Sequence, residues 1–232
     1  MMITIATRKD WLEQRKNLLE REKEFNRTRD ALSAARRDLP WVRVDKDYPF
    51  DGNGGAVSLG DLFGAHSQLV IYHFMFAPDW QAGCKACSFW MDNFEGTEAH
   101  LGARDTALAM VSSAPLETLQ KFRARMGWTM PWVSAANTDF NQDYGVTFSQ
   151  QDIADGTAVY NYDTLKHGAP EMPGISVFAK DENGAIFHTY STYSRGLDML
   201  NSAYHILDLT PKGRDENGLP FTMSWLQHRD QY

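Results

Sequence analysis

The sequence predicts an α/β fold, in which helices flank a central mixed sheet and a long helix precedes the sheet. Apolar, β-favouring segments alternate with segments of helical periodicity, and this alternation is typical of βαβ units. A strong hairpin signal, Asp-Glu-Asn-Gly at 181–184, adds an antiparallel pair of strands. The first 37 residues carry apolar side chains at helical spacing opposite a charged face, which indicates the long helix.

The N-terminal helix is expected over residues 7–37. Thr7 is the predicted N-cap, and Asp10 supplies the acidic partner of a capping box. Pro40 ends the helix because proline lacks the amide hydrogen that a helix needs. Two interpretations of the apolar stripe stay open, since it either packs on its own domain or forms a homodimer contact. The stripe consists of Trp11, Leu12, Leu18, Leu19, Phe25 and Leu32.

The central strand is expected within the run 69–76, whose continuous apolar character is typical of a strand covered on both faces. Pro78 ends this run, and a helix follows a short loop. Pro115 suits the first turn of a later helix, and Gly127 suits its C-terminal cap. The remaining strands are predicted at 107–112, 132–135, 175–179 and 185–190, and the last helix at 197–207.

Composition excludes several classes of function. The chain has 232 residues, of which 43% are hydrophobic and 23% charged, so it is not a disordered protein. A formal net charge of −7 argues against nucleic-acid binding, because phosphate contacts require clustered Lys and Arg. The longest apolar run is about half of the roughly 20 residues that span a bilayer. The N-terminus lacks the apolar core of a signal peptide. We therefore expect a soluble, cytoplasmic protein without membrane partners.

The two cysteines, Cys84 and Cys87, form a Cys-x-x-Cys motif at the start of a predicted helix. The helix dipole and the free amide hydrogens of the first turn favour a thiolate there. Such a position can lower a cysteine pKa from about 8.5 to roughly 7 or below, and Lys85 adds a positive charge. Cys84 is the expected attacking thiol and Cys87 the resolving thiol. Half of a metal site and a pair of inert core thiols are the alternatives.

Neither a metal nor another cofactor is expected. A structural zinc site usually has four ligands, and the nearest histidines, His73 and His100, lack ligand-like spacing. His73 lies within the central strand and is predicted to be a hydrogen-bonded core residue, whereas His100 is predicted to face solvent. No Gly-x-Gly-x-x-Gly follows a strand, which argues against bound NAD or flavin.

Other residues are expected to shape the site. Met172-Pro173 precedes a strand and is the candidate for a cis peptide bond, although only about 5–6% of X–Pro bonds are cis in folded proteins. The alternative is an ordinary proline that begins a strand. Arg195 either stabilises an anion near the cysteines or binds a carboxylate structurally. Five aromatic residues lie near the expected site: Trp80, Phe89, Trp90, Tyr190 and Tyr193. They form either a substrate surface or part of the core, and the core is favoured for Phe89 and Trp90.

The order of elements is the thioredoxin arrangement. A strand leads into Cys-x-x-Cys and a helix, and a proline, a strand, a hairpin and a helix follow later. Three blocks resemble a bacterial family of thioredoxin-like proteins that is catalogued as a domain of unknown function and labelled predicted dithiol–disulfide oxidoreductase. The first holds Tyr-His-Phe-Met-Phe at 72–76, Asp-Trp at 79–80 and Gly-Cys-x-x-Cys-Ser-Phe-Trp at 83–90. The others are Pro-Gly-Ile-Ser-Val-Phe at 173–178 and His-Thr-Tyr-Ser-Thr-Tyr-Ser-Arg-Gly at 188–196.

The resemblance covers most of the chain and implies a thioredoxin-like fold with an N-terminal extension. We expect a helical extension at 1–40, a thioredoxin-like domain at 41–210, and a C-terminal tail at 211–232 packed on that domain. Trp225 and Phe221 are the anchors expected for the tail. The segment 137–164 is interpreted as a loop-rich lid or dimer element.

Two segments also resemble peroxiredoxins: Ser-Leu-Gly-Asp-Leu at 58–62 and Ala-Pro-Leu-Glu-Thr-Leu at 114–119. The peroxidatic motif of those proteins is Pro-x-x-x-Thr-x-x-Cys. Counted from Pro78, its threonine position holds Ala82 and its cysteine position holds Lys85. The missing hydroxyl argues against peroxidase activity. The pair also differs from thioredoxin itself, which has Trp before the first cysteine and Gly-Pro between the two.

The expected function is thiol–disulfide exchange with a protein or small-molecule disulfide or thiol. Cys84 attacks, Cys87 resolves the mixed disulfide, and Pro173 shapes the site. A peroxiredoxin-like thiol peroxidase is one alternative, in which Cys84 is oxidised to a sulfenic acid. A non-catalytic binding module with a thioredoxin fold is the other.

Overall fold

The protein is described by a computed structural model, which covers residues 4–165 and 170–232. The chain divides into two compact units, Met1–Pro40 and Trp41–Tyr232. Within the described residues, no helix is both long enough and apolar enough to cross a membrane.

The first unit contains one long helix, α1 (Arg8–Arg37). Thr7 is its N-cap as predicted: the side-chain oxygen accepts a hydrogen bond from the Asp10 amide at 3.2 Å, and the hydroxyl donates to the Asp10 carboxylate at 2.8 Å. The helix buries none of its residues, and the apolar stripe stays partly exposed. The homodimer contact through this stripe stays a prediction.

The second unit holds a mixed sheet and the shorter helices. Its strands are β1 (Val42–Arg43), β2 (Phe50–Gly52), β3 (Gly55–Val57), β4 (Gln68–His73), β5 (Thr106–Ser112), β6 (Trp132–Ser134), β7 (Val159–Tyr160), β8 (Asp163–Thr164), β9 (Gly174–Lys180) and β10 (Ile186–Tyr193). Its α-helices are α2 (Lys85–Phe94), α3 (Glu98–Gly102), α4 (Leu116–Met126), α5 (Phe140–Asp143), α6 (Gln150–Asp155) and α7 (Ser202–Asp208). Short 3-10 turns occupy Asp61–Phe63, Ser194–Leu200 and Arg229–Gln231.

The strand order of the main sheet is β1-β10-β9-β4-β5-β6-β2-β3. Strand β4 lies inside the sheet, parallel to β5 and antiparallel to β9. Strands β5 and β6 are also parallel, whereas β9 and β10 form the predicted antiparallel hairpin. Parallel βαβ units beside an antiparallel hairpin, with a Cys-x-x-Cys helix after the central strand, constitute a thioredoxin-like fold. The predicted fold class is therefore confirmed.

Side chains of β4 alternate between two hydrophobic cores, as the pleat of a strand requires. Tyr72 belongs to the core that contains Cys87, together with Phe74 just beyond the strand. Leu69 and Ile71 belong to the core on the other face. The apolar run at 69–76 is continuous because each face of β4 is covered, and this places the cysteines over one defined face.

Two regions differ from their predicted secondary structure. The segment 137–164 is not simply a loop: it contains α5, α6 and the small β7–β8 hairpin. The last helix is interrupted at Asn201, which follows a 3-10 turn and caps α7 by accepting a hydrogen bond from the Tyr204 amide at 2.9 Å. An Asn at this position offers the backbone a local partner that helical periodicity does not reveal.

The predicted cis bond before Pro173 is wrong, because the described residues contain no cis peptide bond. The trans form is the usual one for an X–Pro bond, and contacts with distant parts of the chain hold this segment. The Met172 amide donates to the Val146 carbonyl oxygen at 2.8 Å. The Pro173 carbonyl oxygen accepts from the Tyr160 hydroxyl at 2.7 Å. Pro173 is thus an ordinary proline that leads into β9, which was the alternative prediction.

A buried polar network lies beneath β4, on the face away from the cysteines. His73 is 1% exposed, and its ring nitrogens lie 3.0 Å from the Asn141 side-chain oxygen and 2.9 Å from the Ser176 hydroxyl. Burial lowers the pKa of His73 to about 4, so the ring is neutral at physiological pH. The prediction of a hydrogen-bonded core histidine is confirmed. His100 is exposed on α3, also as predicted.

Glu171 is a buried acid at the end of the same network. It is 3% exposed, and its carboxyl group accepts a hydrogen bond from the Thr147 hydroxyl at 3.1 Å. Burial raises the pKa of Glu171 to about 7, against the lowering effect of hydrogen bonds from Ser113 and Thr147. The carboxyl group is therefore largely neutral in the folded protein below pH 7, whereas it ionises near pH 4.5 when the chain unfolds.

We expect Glu171→Gln to remove a pH-dependent loss of stability. A folded-state pKa above the unfolded one gives stability that is complete below about pH 4.5 and declines as the pH rises to about 7. Between pH 4 and pH 8, the unfolding free energy of Glu171→Gln relative to the parent should rise by up to roughly 3 kcal/mol. Urea unfolding at several pH values measures this difference. Glu182→Gln, in the exposed hairpin turn, is the control, and parallel curves for Glu171→Gln and parent would contradict the expectation.

Candidate active site

The two cysteines lie at the beginning of α2, directly after β4 and its connecting loop. Cys84 is the N-cap residue, and Cys87 lies in the first helical turn. The Cys84 amide donates to the Met75 carbonyl oxygen at 3.1 Å, and its own carbonyl oxygen accepts from the Ser88 amide at 2.9 Å. Both thiols are free, with Cys84 partly exposed and Cys87 buried. The predicted placement at the helix start is confirmed.

Cys84 is the more acidic of the two thiols. Its pKa is lowered to about 7, chiefly because the Cys87 thiol donates a hydrogen bond to its sulfur. Burial opposes this effect, and the backbone amides of Cys87 and Ala86 assist it by donating to the same sulfur. The two amides are free to do so because the first turn of a helix has no carbonyl partners for them. A substantial fraction of Cys84 is therefore thiolate at neutral pH.

Cys87 is held as a thiol. It is 1% exposed, and this burial is the main reason that its pKa is raised well above the ordinary value. The hydrogen bond to Cys84 and the negative charge of Cys84 raise it further. Two donors act in the opposite direction: the Tyr72 hydroxyl, and the Met75 amide at 3.4 Å from the Cys87 sulfur. Of the two sulfurs, Cys84 is therefore the one that ionises, and Cys87 stays protonated.

The Tyr72 hydroxyl is a site group that sequence analysis missed. Tyr72 is 1% exposed on β4, on the face that carries α2, and burial raises the pKa of its hydroxyl. The hydroxyl hydrogen-bonds to the Cys87 sulfur. The only sequence signal was a polar tip within an otherwise apolar strand, and the sequence alone gave no contact between residues 72 and 87.

Gly83 is required by close packing rather than by its backbone angles. A Cβ atom at this position would lie 2.6 Å from a ring carbon of Phe74 and 2.9 Å from one of Phe122. Its carbonyl oxygen lies 2.8 Å from Nε2 of His228, which is 5% exposed. The C-terminal segment, residues 211–232, therefore contacts the residue next to Cys84. Sequence analysis also missed this connection between positions 83 and 228.

The C-terminal segment is anchored on both sides of this contact. The Glu216 carboxylate accepts hydrogen bonds from the Met223 amide at 3.0 Å and from the Trp225 indole at 2.8 Å. Arg229 forms an ion pair with Asp92 of α2 at 3.1 Å. Trp225 is thus anchored, whereas Phe221 stays 69% exposed.

A cavity of about 650 Å³ adjoins the cysteine pair. Both cysteines line it, and part of the C-terminal segment, between Phe221 and Leu226, contributes to its lining. This volume lies within the range of roughly 300–1,000 Å³ that is typical of small-molecule sites. The arrangement places a thiolate-forming cysteine where a bound molecule can reach its sulfur.

Four of the predicted site-shaping residues line this cavity: Lys85, Met172, Pro173 and Arg195. Lys85 is exposed beside Cys84. Arg195 forms an ion pair with Asp198 at 2.9 Å while most of its side chain stays in solvent.

The other predicted residues are placed in the core around the site. Trp80 packs against the core beneath α2 and is not part of the cavity lining. Tyr193 is 7% exposed, and its hydroxyl donates to the Tyr144 carbonyl oxygen at 2.9 Å. Trp90 is buried and also lines the cavity, and its indole donates to the Leu197 carbonyl oxygen at 2.8 Å. Phe89 is half-buried and packs on the ring of Trp225, and Tyr190 is half-buried on β10.

The geometry offers no evident metal centre. Within residues 4–165 and 170–232, no group of three or more His, Cys, Asp or Glu side chains is placed to hold a metal ion.

Several solved structures are similar to this chain. A mutant of peroxiredoxin Q from Xanthomonas campestris is 14% identical, with 73% of this chain and 98% of that chain covered and a TM-score of 0.48. Peroxidoxin BcpB from Mycobacterium tuberculosis is 14% identical, with 71% and 93% covered and a TM-score of 0.45. A candidate thiol:disulfide interchange protein DsbE from Chlorobium tepidum is 15% identical, with 72% and 98% covered and a TM-score of 0.40.

The sequence comparisons identify a family rather than a characterised relative. No curated protein sequence matches the chain. A family model described as a bacterial protein of unknown function (DUF899) matches residues 2–232. Since the match extends over nearly the whole chain, this thioredoxin-like protein belongs to the DUF899 family of bacterial proteins of unknown function.

Proposed function

We propose that this protein is a thiol–disulfide oxidoreductase in which Cys84 is the nucleophile and Cys87 the resolving cysteine. One observation carries the proposal: the two sulfurs share a hydrogen bond that lowers the pKa of Cys84 to about 7, and Cys84 lines a cavity. A thiolate is the reactive form in disulfide exchange, and a thiol with a pKa near ambient pH attacks fastest.

The reaction has two exchange steps. The Cys84 thiolate attacks one sulfur of a bound disulfide, the substrate S–S bond breaks, and the first substrate thiolate leaves and takes up a proton. Cys87 then loses its proton and attacks the Cys84 sulfur, which releases the second substrate thiol. Two electrons pass from the protein dithiol to the substrate, and a Cys84–Cys87 disulfide remains. An external dithiol reduces that disulfide and completes the cycle.

The same contacts account for the order of the two steps. Before attack, the Cys84 charge and hydrogen bond help to keep the Cys87 pKa high. Once Cys84 is bound in a mixed disulfide, that charge is gone, and the Cys87 pKa falls. The Tyr72 hydroxyl and the Met75 amide then remain as donors to the Cys87 sulfur. Cys87 therefore becomes a nucleophile only after Cys84 has reacted.

We propose that the protein acts in the cytoplasm, because a secreted domain stapled by disulfides would usually carry more than two cysteines. A thiol peroxidase would need a hydroxyl near the peroxide, and Ala82 offers none at the position where peroxiredoxins have threonine. Loss of hydrogen peroxide that depends on Cys84 would nevertheless identify such an enzyme. Unchanged cellular function of the Cys84→Ser, Cys87→Ser double variant would instead identify a binding module.

We expect the rate of Cys84 alkylation by iodoacetamide to rise with pH around a midpoint near 7, below the value of about 8.5 for a free cysteine. Cys87→Ala should raise this midpoint because it removes the hydrogen bond that lowers the Cys84 pKa most. Cys87→Ser, which retains a hydroxyl donor, should give an intermediate value. Peptide mass spectrometry measures each rate, and a midpoint unaffected by Cys87→Ala would refute this account of the pKa.

Equilibration of the full-length protein in glutathione buffers tests the function itself. Thiol alkylation and mass analysis should show a reversible two-electron transition with a midpoint between about −270 and −120 mV, the span of known oxidoreductases. Cys84→Ser and Cys87→Ser should each abolish the intramolecular disulfide. Thiols that never pair, or a disulfide that no buffer reduces, would eliminate the proposed function.

Tyr72→Phe should slow the second exchange step without affecting the first. The ring stays in the core, but the Cys87 thiolate loses a donor, and a hydrogen bond to a charged group contributes about 1.5–3 kcal/mol. Since a more basic thiolate is also a better nucleophile, only about half of that energy reaches the rate, which corresponds to a roughly four- to fifteenfold slower release of the second thiol. Stopped-flow with a chromogenic aromatic disulfide resolves both releases. Tyr48→Phe, whose hydroxyl bonds Asp143 and whose ring lies in the core on the other face of the sheet, is the matched control. Equal second-step rates for Tyr72→Phe and the parent would exclude this role.

A further inference from the structure

The C-terminal segment gives the cysteine pair an enclosed approach. Phe221, Met223 and Leu226 contribute to the lining of the cavity, and the first of these is the most exposed. The segment is held in place at Glu216, at His228 against Gly83, and at the Arg229–Asp92 ion pair. A disulfide on a folded protein would have to pass this wall to reach Cys84, whereas a small molecule can enter the cavity.

The walls of this cavity suit a flexible apolar chain. Methionine side chains come to it from three parts of the protein: Met75 after β4, Met172 before β9, and Met223 in the C-terminal segment. Methionine is unbranched and polarisable, so it adapts its shape to an alkyl chain. Leu197 and Trp90 complete an apolar interior. A volume of about 650 Å³ holds an alkyl disulfide but not a protein loop with its flanking strands.

Outside the cysteine pair, the charged residues of the lining are Lys85, Arg195 and Asp198, so the cations outnumber the acid by one. Asp198 is compensated twice, by Arg195 at 2.9 Å and by Arg214 at 3.3 Å. Lys85 is exposed, and among the described residues its ammonium group has no ion-pair or hydrogen-bond partner. Lys85 is the residue next to Cys84 in the chain. An anionic group of a bound molecule can therefore accept a charge-assisted hydrogen bond from the Lys85 ammonium group while the molecule lies beside Cys84.

We propose that the substrate of this site is a small disulfide whose apolar chain lies along the methionine-lined walls and whose carboxylate meets Lys85. This inference rests on the proposed function and narrows it from disulfides in general to one chemical class. The atoms balance as in the two exchange steps above: the alkyl disulfide gains two electrons and two protons and leaves as two thiols, while Cys84 and Cys87 form a disulfide. An external dithiol supplies the electrons for the next cycle.

Three disulfides test the proposal on the reduced, full-length protein. The first is the symmetric disulfide of mercaptohexanoic acid, the second is its neutral bis-amide, and the third is insulin as a protein disulfide. We expect the acid to react up to about fivefold faster than the amide, the range for one ion pair at an exposed lysine. Insulin should be reduced more slowly than either small disulfide. Stopped-flow and quenched mass analysis give the rates.

Two variants identify the groups responsible. Lys85→Gln should bring the acid-to-amide ratio close to one, whereas Lys121→Gln, which changes an exposed lysine of α4, should leave the ratio unchanged. Phe221→Ala should widen the entrance to the cavity, so that the rate of insulin reduction rises relative to the rate of reduction of the acid. Cys84 alkylation by iodoacetamide is measured in every variant, so that a loss of thiol reactivity or of folding is recognised separately.

The outcomes separate the two proposals. Equal rates for acid and amide in the parent protein would overturn the carboxylate contact with Lys85. Insulin reduction as fast as that of the acid would overturn the small-substrate inference and leave the oxidoreductase function intact. If none of the three disulfides reacts while Cys84 is alkylated normally, the proposed function itself fails.

Discussion

The hydrogen bond from the Cys87 thiol to the Cys84 sulfur is the interaction on which the site depends. It assigns the proton to the buried sulfur and the charge to the partly exposed one. The bond requires both cysteines to lie in the first turn of α2, and β4 sets the position of that turn. Tyr72 and Met75, from β4 and the residues after it, supply the other donors to Cys87. One strand and one helical turn therefore create the chemical asymmetry of the pair.

The two faces of the sheet bury different kinds of groups. The face that carries α2 buries an aromatic-rich core around Tyr72 and Cys87, and hydrogen bonds in such surroundings are stronger than in water. The opposite face holds the neutral His73 and its partners, and this network reaches Glu171 through Asn141, Ser113 and Thr147. Glu171 is adjacent in sequence to Met172, which lines the cavity. Packing of the polar network thus positions a wall of the site without contributing a reacting atom.

The C-terminal segment adds side chains to the surroundings of the two cysteines. His228 bonds the carbonyl group beside Cys84, and Arg229 pairs with Asp92 of the same helix. These anchors hold the segment whose residues Phe221, Met223 and Leu226 line the cavity together with the two cysteines.

The sequence by itself determined the features that arise from local patterns. Alternating apolar segments predicted the strands and helices, and the three-residue spacing placed Cys84 and Cys87 in one helical turn. Only the tertiary structure decided the trans bond at Pro173. The segment around this bond is hydrogen-bonded to Val146 and to Tyr160 of β7. It also decided the contacts of Tyr72 with Cys87 and of His228 with Gly83. Such pairs are far apart along the chain, and no periodicity or propensity encodes them, because they form only when the sheet brings distant segments together.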